Sequence, residues 1–167
     1  MRVNEFITAY QDGERWFNGI CMLLANLAEA DMAEAELRGA DLFAADLRGA
    51  NLKGANLARA NLGQANLAGA NLSGADLRQA ILGGANLRGA NLQGANVTDA
   101  ALHRAKLQDA DLRGITVGAI GVGRQLICTS ANTFENARWD KERIEEVLRV
   151  LNLNRDWEIH YQIVPRT

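Results

Sequence analysis

Apolar positions along this chain recur every five residues. From Ala25 to Arg124 the sequence divides into twenty blocks of five. With the middle residue of each block called i, position i−2 is Ala in eighteen consecutive blocks, Ala25 through Ala110. Position i is Leu in sixteen of those eighteen, with Met32 and Val97 as the exceptions. Position i−1 is Asn or Asp in fourteen, and position i+2 is Gly in nine. Two degenerate blocks, centred on Phe17 and Met22, precede the run, and two more, centred on Val117 and Val122, follow it.

A period of five suits neither regular element. Five residues advance an α-helix by about 500°, so successive Leu step by about 140° and mark no single face. Along a flat strand the same period sends alternate Leu to opposite faces. A chain that turns one corner per block solves the problem. The Leu at i and the Ala at i−2 then point inward every time, two residues apart on a short extended piece. Asn, Asp and Gly supply the corner, because they tolerate turn geometry that other residues resist.

This A(D/N)LXX pattern resembles the pentapeptide-repeat family, over about residues 15–124. The resemblance implies a mainly β protein: a right-handed quadrilateral β-helix, four blocks per coil, of about five to five and a half coils. Coils stacked at the strand spacing of about 4.8 Å give a rod roughly 24 Å long. Its core is expected at Leu37, Leu42, Leu47, Leu52, Leu57, Leu62, Leu67, Leu72, Leu77, Leu82, Leu87 and Leu92. Solenoids need covered ends. Val3, Phe6, Ile7 and Tyr10 stand at helical spacing before Asp12-Gly13, which predicts a short helix over the first coil. Gly13-Glu14-Arg15, leading into the first block, is similar to some cyanobacterial members. The expected division is a helical cap over 1–14, the β-helix over 15–124 and an α/β tail over 125–167. In the tail, Leu126–Cys128 reads as a strand and 140–151 as a helix with Asp140 at its N-cap. Residues 157–164 read as a second strand. The tail either closes the rod or mediates association; some family members dimerise through a C-terminal helical segment.

Composition and charge then narrow the function. Apolar residues make up 48% of the chain but aromatics only 5%, with 16 Gly. That balance follows from a narrow interior that accepts one Leu and one Ala per block. Twenty acids against eighteen bases exclude a basic nucleic-acid binder. No apolar run is long enough to span a membrane, and the first residues lack the apolar core of an export signal. His103 and His160 are distant in sequence, and no HExxH, GxSxG or phosphate-loop pattern occurs. No enzyme, cofactor or metal is expected. Cys21 and Cys128 fall near opposite ends of the rod, too far apart to bridge. Two free thiols suit a reducing compartment, so a cytoplasmic location is expected, or the thylakoid lumen if a signal was removed.

The family's known sharp function is modulation of DNA gyrase by a rod that imitates duplex DNA. A duplex carries one negative charge per about 1.7 Å of axis. Residues 25–124 carry ten acids and ten bases, a neutral rod that disfavours this alternative. Residues twenty apart share a side of the coil. Three sides then carry mixed charged and polar residues. The fourth has Phe43, Gly63, Gly83 and His103 at i+1, and Asp41, Asn61, Ile81 and Ala101 at i−1. Phe43, Ile81, Ala101 and His103 are therefore the candidate protein-contact residues on a rigid binding scaffold. Either the C-terminal tail folds back onto this face or a second protein docks there, a partner or another copy forming a homodimer through the face or the tail; neither a nucleic acid nor a membrane is expected.

Overall fold

The structure, a computed structural model, describes residues 1–117 and 137–140. Every block contributes one bridging residue at i−1. Each bridge is parallel, and all but the last, Asp111 with Arg138, join residues twenty apart, as in Trp16 with Glu36, Asn51 with Asn71 and Asn96 with Thr116. Four blocks therefore complete one turn of the stack.

Three backbone hydrogen bonds per block tie each turn to its neighbours. Around Leu62, the Leu62 N–H donates to the Ile81 carbonyl at 2.7 Å and the Gln64 N–H to the Gly83 carbonyl at 2.9 Å. The Asn61 N–H donates the other way, to the Ala40 carbonyl at 2.9 Å. The corner closes with Ala65 N–H to Leu62 C=O at 3.1 Å. Side chains at i−1 finish the turn. Asn61 Oδ1 accepts the Gly63 N–H at 3.2 Å, and Asn71 Oδ1 accepts the Ser73 N–H at 3.2 Å. This local bond is why Asn and Asp, the residues with a short side-chain acceptor, dominate that position.

At position i+2 the backbone is left-handed in every block from Gly19 to Gly114, with φ between +53° at Ala44 and +71° at Gly94. Glycine takes that conformation without a steric penalty, which accounts for its frequency there. Inside, the central Leu from Leu37 to Leu92 are each no more than 1% exposed, with the Ala of the i−2 columns packed between them.

The helix α1, Val3–Gln11, packs on the first turn. Its buried residues are Phe6 and Tyr10, one helical turn apart. The Phe6 ring meets Phe17 edge-on at 4.5 Å between centroids. The Tyr10 hydroxyl donates to the Ala33 carbonyl at 2.6 Å, and the Arg15 guanidinium lies 3.9 Å above the Tyr10 ring.

At the other end an unbroken count would set residue 131 on Asp111. Arg138 takes that place instead. The Arg138 N–H donates to Ala110 C=O, and the Leu112 N–H donates to Arg138 C=O, both at 2.8 Å. Ala137-Arg138-Trp139 thus occupies the Ala, Asn and Leu places of a further block. Ala137 and Trp139 are partly buried against the core. Three residues that the sequence assigned to the tail so continue the stack, because the Arg138 backbone makes the bonds of a regular i−1 position. The Asp140 carboxylate accepts the Gly114 N–H. The expected blocks at 118–124, the strand at 126–128, the helix beyond Asp140 and the strand at 157–164 lie outside the described residues.

Candidate protein-contact face

The four sides of the stack differ in charge. Four of the five-residue rows of one side begin at Ala40, Ala60, Ala80 and Ala100, and its first row is Ile20–Leu24. That side carries two charged residues, Asp41 and Arg104, whereas the other three carry seven, six and five. On the charged sides, three acids are neutralised locally. Arg48, Arg78 and Arg113 close 2.5–2.6 Å ion pairs with Asp46, Asp76 and Asp111, two residues earlier in the same block. Hydrogen bonds from the guanidinium hold each of these carboxylates below the usual aspartate range.

The weakly charged wall also holds three large apolar side chains that meet solvent, while Trp16, at 73%, is exposed on the neighbouring side. Leu23 is 50% exposed, Leu24 71% and Ile81 47%. Leu24 occupies an i+2 corner with φ of +57°, so the fold would be better served by glycine at that place. An exposed leucine held in a strained backbone conformation does nothing for the core.

Phe43 does not stand free in solvent; it is half-buried. A Cβ placed on Gly63 would sit 3.1 Å from Phe43 Cδ2, so an edge of the ring covers the glycine of the next turn. His103 does the converse. Its exposed imidazole folds back over Gly83, where a Cβ would collide with the ring. Phe43 and His103 thus lean towards each other along one column, each covering a glycine, and Ile81 stands beside Gly83. Ala101, half-buried, follows Ile81 in the i−1 column.

Side-chain amides link successive turns along the i−1 columns. Asn51 donates to Asp31 Oδ1 at 2.8 Å, Asn86 to Asn66 Oδ1 at 2.9 Å, and Asn61 to Asp41 Oδ1 at 3.0 Å. On the wall that ladder stops at Asn61, because Ile81 and Ala101 have nothing to offer it. The structure therefore brings Phe43, Ile81, Ala101 and His103 together on one side. It adds Leu23, Leu24 and the exposed free thiol of Cys21 at the near end. These three lie in the block centred on Met22, which has Ile20 in place of Ala and no Asn. Carrying the twenty-residue stack one turn further back would have found them.

Among the described residues no cluster of His, Cys, Asp and Glu could hold a metal ion, and no helix is long and apolar enough to cross a membrane. A stack of five-residue blocks in a twenty-residue register is what the family model for pentapeptide repeats describes, and that model matches residues 21–57, 45–84 and 80–116. The chain belongs to the pentapeptide repeat family. It is similar to the pentapeptide repeat protein Rfr23 from the cyanobacterium Cyanothece 51142, with 29% identity and a TM-score of 0.50. That similarity covers 83% of this chain and 97% of Rfr23. HetL, involved in heterocyst differentiation regulation in the cyanobacterium Nostoc, is 25% identical over 83% of this chain and 92% of its own, with a TM-score of 0.40. QnrB1, a plasmid-mediated fluoroquinolone resistance protein, is 16% identical over 80% of this chain and 79% of its own, again with a TM-score of 0.40. No curated protein matches the sequence. The pentapeptide repeat fold is a right-handed quadrilateral β-helix, and its members are scaffolds rather than catalysts as a class.

Proposed function

We propose that this pentapeptide repeat protein is a non-enzymatic binding scaffold that docks a partner protein on the wall formed by Leu23, Leu24, Phe43, Ile81, Ala101 and His103. The observation that carries the reading is the coincidence of three features on one side. That side has the fewest charges, the exposed Leu23, Leu24 and Ile81, and the only apolar i−1 residues of the eighteen regular blocks, Ile81 and Ala101. Apolar exposure concentrated on one flat surface marks an interaction site. On this reading α1 is a cap that closes the near end, and the residues beyond 124 close or extend the far end. The exposed thiol of Cys21 fits a reducing, cytoplasmic setting. Imitation of duplex DNA is not supported, because the array is neutral overall and three of its acids are tied to arginines two residues away.

Site-specific photocrosslinking in the native cell tests the proposal. A benzophenone amino acid at position 81 should give a discrete protein adduct. The same probe at Asn91, in the equivalent place on another side, should not. Equal labelling at both positions, or none at either, removes the wall as the contact surface.

A further inference from the structure

The wall is too small for two rods to hold each other by it. It is one block wide, about three extended residues or roughly 10 Å, and five turns tall, about 24 Å. That gives on the order of 240 Å², whereas a stable protein pair buries about 800 Å² on each partner. A second copy meeting this side alone would leave most of that contact unmade, and a lone helix lying here buries no more, so its binding is expected to be weak. An α-helix matches the dimensions instead. It is about 10–12 Å across with its side chains, and about 24 Å of it is roughly sixteen residues.

The spacing matches as well. Rows of the wall repeat about every 4.8 Å, and an α-helix repeats every 5.4 Å. Over five rows the two drift apart by only about 2.4 Å, less than the width of one side chain. Apolar residues of a helix at three- and four-residue spacing therefore stay in step with the rows. The borders complete the fit. The columns flanking the wall carry Arg59 and Asp99 on one edge, Asp46 and Lys106 on the other. A helix lying on the wall would present its apolar stripe to Leu24, Phe43 and Ile81 and its polar flanks to those charges.

Resting on the proposed docking function of this wall, we infer that its occupant is an amphipathic α-helix of a partner protein, about four turns long, lying along the rod axis. The probe is a phage-displayed library of unconstrained eighteen-residue peptides, panned on the full chain. Enriched peptides should carry apolar residues at three- and four-residue spacing and gain helical circular dichroism on mixing with the protein. They should bind at least tenfold more weakly to a Phe43→Ser/Ile81→Asn variant, and unchanged to Gln93→Ala on another side. Ile81→Asn alone should show part of that loss. It returns to the i−1 column the residue type that ladders elsewhere, so misfolding cannot explain its effect. Enrichment of alternating, non-helical peptides overturns the inference, as do indifference to the wall variants or no enrichment. So does a concentration-dependent dimer in sedimentation that Ile81→Asn abolishes. A specific crosslink at position 81 together with non-helical binders would leave the docking function standing and remove only the helix.

Discussion

Leu24 sets what this fold needs against what its surface presents. Its corner is left-handed, and its side chain is 71% exposed. A non-glycine residue in that conformation costs about 1 kcal/mol or more, and nothing in the core repays it. Leu24→Gly should therefore raise stability by on the order of 1 kcal/mol, read by urea denaturation, while weakening whatever binds the wall. Much at this scale was legible in the sequence. The inward Ala and Leu follow from the five-residue period, because only a corner per block buries them. The posture of Phe43 was not legible, since its half-burial depends on Gly63 in the next turn accepting a ring. Nor was the fold-back of His103 over Gly83. Both need the three-dimensional neighbour twenty residues away to be small, and composition alone does not say which way a side chain will lean.

Among the elements, α1 and the block at 137–139 have parallel tasks. The first turn of any such stack leaves carbonyls without a turn beneath them, and the last leaves N–H groups without a turn above. The Tyr10 hydroxyl takes the Ala33 carbonyl at 2.6 Å, and the Asp140 carboxylate takes the Gly114 N–H. Tyr10→Phe keeps the buried ring and removes only the hydroxyl. It should cost about 1 kcal/mol, measured by thermal unfolding, with no change in wall binding. The helix could be read from Val3, Phe6, Ile7 and Tyr10 because helical spacing is visible in a short window. The block at Ala137 could not. It stands twenty-seven residues after Asp111 rather than twenty, so no fixed period finds it, and its central residue is Trp139 instead of Leu.

For the whole molecule, residue number modulo twenty decides which side a residue occupies. Function is then separable from folding by deleting whole blocks. Removing residues 65–69 leaves every remaining block intact but turns all later blocks by one side. Ile81, Ala101 and His103 would then face away from Leu24 and Phe43. This variant should retain its far-UV circular dichroism and a Tm close to the parent, yet lose binding of wall-selected peptides. Removing residues 45–64 takes out one full turn and keeps Ile81 on the side of Phe43, so binding should persist, weakened by the shorter wall. If both deletions bind equally well, the contact surface is not this side of the rod.

The inter-turn bonds also give the rod a direction. In each block the N–H groups at i and i+2 point towards the C-terminal end, as in Leu37 to Asn56 and Gly39 to Ala58, and only the one at i−1 points back, as in Asn56 to Ala35. The near end is accordingly rich in acceptors and the far end in donors. Two bare copies would join near end to far end, and such a junction repeats without closing into a ring. An uncovered stack of this kind carries the geometry of a filament subunit. The helix at the start of the chain and the irregular return at Arg138 are what make each molecule finite.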